Sequence, residues 1–136
     1  MSRAASPALP RWIYRVAGIY GLLVMLPQYF LESRIGRHDP PAITHPEYFY
    51  GFIGVTVAWQ VAFLVISADP VRFRPLMPVT WLEKLAFGPA VLILGALGRV
   101  NGQVIFFGGL DLLLGALFVL AWLRTPRART QPGETS

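Results

Sequence analysis

Residues 104–123 read VIFFGGLDLLLGALFVLAWL and contain a single charged side chain, Asp111. About 20 apolar residues in an α-helix, rising about 1.5 Å each, match the roughly 30 Å hydrocarbon core of a bilayer. The stretch is therefore a predicted transmembrane helix. Three further apolar stretches have a similar character, so the predicted spans cover residues 12–31, 48–68, 81–98 and 104–123. They predict an all-α fold, a bundle of four transmembrane helices.

The composition agrees with lipid as the solvent of this chain. Hydrophobic residues make up 54% of the 136 positions and charged residues only 14%, well below the roughly 25% typical of soluble domains. The net charge of +5 comes from arginines that flank the apolar segments and form no basic stripe, so we expect no nucleic-acid partner. The chain has no cysteine, which excludes disulfides, thiolate metal sites and cysteine nucleophiles.

The distribution of positive charge predicts the orientation. Nine positive residues fall at the N-terminus, in the second loop or at the C-terminus: Arg3, Arg11, Arg15, Arg72, Arg74, Lys84, Arg124, Arg127 and Arg129. Three fall on the other side: Arg34, Arg37 and Arg99. Because cytoplasmic segments retain positive residues, both termini are predicted to be cytoplasmic in a multi-pass protein of the inner membrane. Residues 1–10 are predicted to be a flexible segment, 11–124 the membrane domain and 125–136 a disordered tail.

Polar residues within the spans are the first candidates for a site. Asp111 lies between Gly108 and Gly115, which share one helix face with it. A carboxyl at this depth must be paired, protonated or wet. It is either a proton-relay or ligand-binding group, or a neutral acid in an interhelical hydrogen bond. Gln60, with Thr56 one turn away, lies at a similar depth and is the partner that depth alone indicates for Asp111.

Small residues indicate where helices approach closely. Gly54, Ala58 and Ala62 recur every four residues along the second span and form a smooth strip. Gly108 and Gly115 give the fourth span a similar face. The strip packs either against another helix of the same chain or against a partner protein or second copy.

A polar group is predicted at the cytoplasmic ends of the second and third spans. It comprises Arg72 and Arg74 after the second span, and Glu83 and Lys84 at the start of the third. One interpretation is a pocket for an anionic headgroup or metabolite. The other is that these are ordinary positive-inside residues, paired with Asp69, Glu83 and phospholipid.

No pattern of catalytic or metal-binding residues is recognised. His38, Asp39, His45 and Glu47 lie together in the outer loop, but their spacing matches no zinc signature. Nucleophile-elbow, phosphate-loop and HExxH patterns are missing from the sequence. We therefore assign no catalytic residue, no metal and no cofactor.

Several short motifs resemble those of small bacterial four-helix membrane proteins grouped loosely as DoxX-like. They are residues 45–52 (HPEYFYGF), 59–60 (WQ), 69–75 (DPVRFRP), 83–84 (EK) and the late Asp111. The resemblance extends over residues 11–124. It implies the fold and the membrane location, and no activity.

Two functions are consistent with these patterns. The first is a non-enzymatic accessory subunit or a bundle that binds a small molecule or lipid, with the bilayer and a membrane protein or second copy as partners. The second is a membrane-embedded enzyme or proton-coupled carrier that uses Asp111 on a lipophilic substrate. A cavity that reaches Asp111 would favour the second.

Overall fold

The computed structural model describes residues 7–128, and these residues form helices and loops without any strand. The α-helices are α1 (Ala8–Met25), α2 (Glu32–His38), α3 (Pro46–Ala68), α4 (Met77–Ala96) and α5 (Gly102–Arg124). Short 3₁₀ segments follow α1 at Leu26–Phe30 and precede α4 at Arg74–Leu76. The prediction of an all-α chain is confirmed for the described residues.

Three helical stretches are long and apolar enough to cross a bilayer: Pro46–Ala68, Arg74–Ala96 and Gly102–Arg124. A fourth is obtained if Ala8–Phe30 and Glu32–His38, which meet at 89°, form one bent span. The α-helical part of the predicted first span ends two residues before Pro27, whose ring and missing N–H disfavour regular helix. The structure thus has three to four candidate spans, each at a stretch that the sequence predicts.

Ordered contacts extend past both predicted ends of the membrane domain, although the last helix ends at Arg124 as predicted. α1 begins at Ala8, inside the segment predicted to be flexible. Thr125, the first residue of the predicted tail, is buried, and its hydroxyl donates a 2.7 Å hydrogen bond to the carbonyl oxygen of Ala121. The remainder of these two predictions, residues 1–6 and 129–136, lies outside the described residues.

The chain divides into two compact units, of which one is Tyr14–Val65. Within it α1 packs closely against α3 because glycines of α1 face the partner helix. A Cβ at Gly18 would lie 2.9 Å from the carbonyl oxygen of Gln60, so only a residue without a side chain allows this approach. One turn earlier, the ring of Tyr14 meets that of Phe63 edge-on, with centroids 6.0 Å apart.

Among the described residues, the other unit combines 7–13 with 66–128, and contains the antiparallel pair α4 and α5. The turn between them is set by its end residues. Gly98 adopts a positive φ of 68°, and the N–H groups of Gly98 and Arg99 donate back to carbonyls of the last turn of α4. The side chain of Asn101 then caps α5 by accepting a 3.0 Å hydrogen bond from the N–H of Val104.

Glycines on both helices bring α4 and α5 into close contact. A Cβ at Gly108 of α5 would lie 2.6 Å from Cγ1 of Val91, and one at Gly88 of α4 would lie 2.6 Å from Cγ of Leu112. Gly115 faces Lys84, where an added Cβ would lie 3.2 Å from the lysine Cβ. Gly108 and Gly115, which the sequence analysis names as packing residues, therefore lie at this helix contact.

Candidate functional site

The candidate site is built around Lys84, on the third turn of α4. Its side chain starts opposite Gly115, where the facing helix presents no side chain and leaves room for the lysine stem. The stem then runs along α5 to Asp111, one turn away, so that Lys84 is only 4% exposed. The glycine spacing on α5 thus allows a long basic side chain to lie between two apolar helices.

Three charged groups meet at this position. The Nζ of Lys84 donates a 3.0 Å hydrogen bond to Oδ1 of Asp111 and lies 3.0 Å from Oε2 of Glu83. The side chains of Glu83 and Asp111 are 16% and 19% exposed. The contact to Glu83 has the distance of an ion pair without hydrogen-bond geometry, and no other described residue hydrogen-bonds that oxygen. We call Glu83, Lys84 and Asp111 the ion cluster.

The ion cluster lies midway along both helices. Lys84 is the eleventh of the 23 residues in the stretch Arg74–Ala96, and Asp111 is the tenth of the 23 in Gly102–Arg124. An isolated charge at such a position would cost several kcal/mol, and its attraction to an opposite charge offsets part of that cost. Two carboxyl groups share one ammonium. Chemically, the cluster can hold α4 to α5, or it can exchange a proton.

The pairing of Lys84 with Asp111 is not predicted from the sequence. The predicted third span begins at Trp81, which puts Glu83 and Lys84 at a helix end, whereas α4 begins at Met77. The predicted cytoplasmic group therefore divides, with Arg72 and Arg74 at the end and the other two residues midway. One signal was available: residues equidistant from the loop of a helical hairpin lie at about the same depth, which places Lys84 near Gly115, one turn from Asp111 and within reach of it for a long lysine side chain.

Gln60 and Thr56 have other partners. Gln60 belongs to the compact unit Tyr14–Val65, where it is 3% exposed and packs against Gly21 of α1. Its Nε2 donates a 3.2 Å hydrogen bond to the carbonyl oxygen of Thr56. The Thr56 hydroxyl donates in turn to the carbonyl oxygen of Phe52 at 2.8 Å. Both polar side chains are thus used on the backbone of their own helix.

The strip of small residues on α3 is only partly covered. Ala58 is exposed, and Ala62 is half-buried. A Cβ at Gly54 would meet only the hydroxyl oxygen of Tyr29, at an ordinary 3.4 Å. The close approach to α3 is made by glycines of α1, so whether the strip contacts a partner stays a prediction.

Arg74, the first residue of the 3₁₀ segment before α4, is held by two contacts. Its Nε donates a 2.8 Å hydrogen bond to the carbonyl oxygen of Thr125, and its guanidinium carbon lies 4.5 Å from the ring centroid of Trp122. Trp81 packs edge-on against Trp122, with centroids 5.3 Å apart. The indole N–H of Trp81 is buried without a hydrogen-bond partner among residues 7–128. We call Arg74, Trp122 and Trp81 the arginine platform.

The other arginines near this end are used differently. Arg11 of α1 donates hydrogen bonds to the carbonyl oxygens of Ser67 and Ala68, which end α3. Arg72 is exposed, and its backbone N–H donates to Oδ1 of Asp69 at 3.2 Å. Arg11 therefore has a capping role, whereas the guanidinium carbon of Arg72 lies 5.4 Å from the ring centroid of Phe73.

The potential metal ligands among the described residues are dispersed. No group of three or more His, Asp or Glu side chains there is close enough together to hold an ion. In the outer loop, Nδ1 of His45 lies 3.2 Å from Oε1 of Glu47, and both side chains are exposed. These two residues make a surface contact only.

Comparison with known proteins adds nothing to this geometry. No protein-family model, no curated protein and no solved structure matches the chain. The functional interpretation therefore starts from the contacts of the described residues and from the sequence.

Proposed function

We propose that the chain is a multi-pass protein of the inner membrane, with four transmembrane helices and both termini in the cytoplasm. Its function is that of a non-enzymatic accessory subunit or a bundle that binds a small molecule or lipid. The three to four apolar helical stretches support the membrane location. The orientation is supported by the charge asymmetry, which becomes eight against three once Lys84 is placed within a helix. The DoxX-like resemblance is part of the same proposal.

The ion pair between Lys84 and Asp111 is the observation on which the non-enzymatic function rests. Asp111 is the one acidic residue within the predicted fourth span. In the structure its charge is balanced by the buried ammonium group of Lys84, 3.0 Å away. Such a pair links two helices, and loss of its cation is costly, because removal of Lys84 leaves the carboxyl groups of Asp111 and Glu83 without a counter-charge. The simplest role of Asp111 is therefore to fix α5 against α4.

The outer surfaces of the helices support the bilayer as a partner. Large apolar side chains are exposed on every long helix, among them Leu23, Val55, Leu85 and Phe106. In water, surface of this kind would promote aggregation, whereas in lipid it matches the solvent. A second membrane protein or a second copy of the chain fits the same apolar exterior.

A variant with a neutral interior tests the proposed function. Glu83→Gln, Lys84→Met and Asp111→Leu together remove all three charges while conserving most of the volume. The full chain is purified in mild detergent, and the proteins and lipids that co-purify are identified by mass spectrometry. We expect the triple variant to fold and to retain the partners of the wild type. A folded triple variant without those partners contradicts a purely structural cluster.

A proton-coupled carrier is the second candidate, and one observation favours it. Two carboxyl groups share one ammonium, so the ion cluster has a group available to take up and release a proton. Asp111→Asn separates the two functions because the amide keeps a hydrogen-bond acceptor for Lys84 but cannot ionise. The variant is compared with a deletion strain in growth competition. A folded Asn variant that behaves like the deletion supports the carrier, and one that behaves like the wild type rejects it.

A further inference from the structure

The arginine platform presents a guanidinium group that is fixed on two sides. The hydrogen bond from Nε to the carbonyl oxygen of Thr125 holds one edge, and the ring of Trp122 supports one face. Trp81 in turn packs against Trp122, which restricts the movement of the supporting ring. Arg74 has therefore already lost much of the conformational freedom that a surface arginine would lose on binding a ligand.

The remaining edge of this guanidinium is unused. Its two Nη groups make no hydrogen bond or ion pair with any residue in the part of the chain that the structure describes. A guanidinium carries five N–H donors in a planar fork, and the two Nη groups supply four of them. This geometry matches the oxygens of a phosphate group.

The local charge favours an anion. Arg72 precedes the platform by two residues, and Arg124 and Arg127 flank Thr125. Asp69 is the only acidic residue between the end of α3 and the start of α4, and its carboxylate already accepts a hydrogen bond from the Arg72 N–H. The cations at this end thus outnumber the carboxylates, and anionic lipids are attracted by about 1 kcal/mol for each basic residue near the surface.

The position of the platform along the helices indicates the source of the anion. Arg74 is the first residue of the stretch Arg74–Ala96, and Arg124 is the last of Gly102–Arg124. In a chain that crosses a bilayer, the ends of such stretches lie at the level of the lipid phosphates, where tryptophan is also favoured.

We infer that the Nη groups of Arg74 bind the phosphate of an anionic phospholipid, with Trp122 supporting the guanidinium. This inference rests on the proposed membrane location and adds to it a ligand class and a binding residue. It is independent of the ion cluster and of any protein partner.

Native mass spectrometry of the full chain in detergent tests the inference. Phosphatidylglycerol is compared with phosphatidylcholine of the same acyl chains, and inorganic phosphate serves as the soluble source of the same group. The variants are Arg74→Gln and Arg74→Lys. Arg99→Gln is the matched control, because it removes one exposed arginine at the opposite loop.

We expect the wild type to retain phosphatidylglycerol in preference to phosphatidylcholine. Arg74→Gln should weaken phosphatidylglycerol binding about five- to tenfold, the loss expected for one charge-assisted contact to a headgroup. Arg74→Lys should retain part of the affinity, because lysine keeps the charge but not the planar fork. Arg99→Gln should bind as the wild type does.

Three outcomes would overturn the inference. Equal retention of the two lipids by the wild type shows no selectivity for an anionic headgroup. Equal losses in Arg74→Gln and Arg99→Gln show a general charge effect. Binding of inorganic phosphate that matches phosphatidylglycerol and depends on Arg74 shows that the ligand is the soluble ion.

Two further measurements keep these results interpretable. Because Arg74 also bonds Thr125, thermal unfolding of each variant is measured. If Arg74→Gln does not fold, Arg74→Lys is the test instead. A preference of Arg74→Lys for phosphatidylglycerol that equals that of the wild type would then overturn the inference. Reporter fusions test the proposed membrane location separately. If they give the proposed topology but the wild type does not prefer phosphatidylglycerol, the phosphate site is rejected and the proposed membrane location stands.

Discussion

At the scale of single residues, Lys84 is the least expected side chain of this protein. A lysine in the middle of an apolar helix is rare unless it has an anionic partner, and this one has two within 3.0 Å. The two carboxyl groups are not equivalent, because only Asp111 accepts a hydrogen bond of good geometry. Loss of Lys84 and loss of Asp111 should therefore have different effects on stability.

Lys84→Met should be far more destabilising than Asp111→Asn. Without the lysine, two half-buried carboxyl groups at the same place have no cation, and we expect a loss of about 3–5 kcal/mol in the free energy of unfolding. With Asp111→Asn, Lys84 and Glu83 remain as a balanced pair, so the loss should be about 1 kcal/mol or less. Reversible unfolding in mixed micelles measures both. Equal losses would show that the pairing does not govern stability.

At the scale of helices, the contact between α4 and α5 depends on where side chains are missing. Gly108 is buried against Val91, whereas the neighbouring Gly109 is exposed with no atom within 4 Å of an added Cβ. The two residues have the same intrinsic helix propensity but opposite environments. The same substitution at both positions therefore separates the effect of helix packing on stability from the effect of helix propensity.

Gly108→Ala should destabilise the protein by about 1–3 kcal/mol, because its Cβ would overlap Val91 and push the helices apart. Gly109→Ala is the matched control and should be neutral or slightly stabilising, since alanine is the better helix former. Thermal unfolding in detergent compares the two. If Gly108→Ala is as stable as Gly109→Ala, the helices do not approach as closely as the structure indicates.

The strip on α3 leads to a different expectation. Ala58 is exposed, so Ala58→Leu should change the unfolding free energy of the isolated chain by less than about 0.5 kcal/mol. Ala116→Leu, at an exposed position of α5, is the control. If co-purification of a partner is lost only in Ala58→Leu, the strip is an interface. Unchanged co-purification in both variants means that the strip meets lipid.

At the scale of the whole molecule, the proposed orientation in the membrane depends on the positive residues that lie outside the spans. The structure places Lys84 within a helix, which leaves eight positive residues on the predicted cytoplasmic side and three on the predicted outer side. Because the arginines of short loops dominate orientation, the loss of one lysine from the count does not reverse the expectation.

A reporter fused after Arg124 should therefore be active only in the cytoplasm, and one inserted near Pro41 only outside it. Alkaline phosphatase and green fluorescent protein are suitable because they are active on opposite sides. A C-terminal fusion active outside the cell would contradict an even number of spans with cytoplasmic termini. It would favour three spans, the number obtained when the bent pair of α1 and α2 is not counted.

The sequence by itself determined that the chain is helical and where the apolar helices lie. The apolarity of a segment of about 20 residues is the sum of the hydrophobicities of its own residues. It does not depend on which helix packs against which. The predicted spans therefore match α3 and α5 closely, whereas the predicted third span begins four residues after α4 does. Gly108 and Gly115 were identified as packing residues from their spacing alone. Arg72 and Arg74 lie between the end of α3 and the start of α4, and their role as a site for an anionic ligand stays a prediction.

The tertiary structure decided which polar groups meet. Lys84 and Asp111 are 27 residues apart, and their contact depends on the tight turn at Gly98 and on the room that Gly115 leaves for the lysine stem. Depth along the helix indicated Gln60 as the partner of Asp111. Depth gives no information about which faces of the helices are turned toward each other. Pairing of side chains is a property of helix register and rotation, and these are set by packing, which no single stretch of sequence specifies.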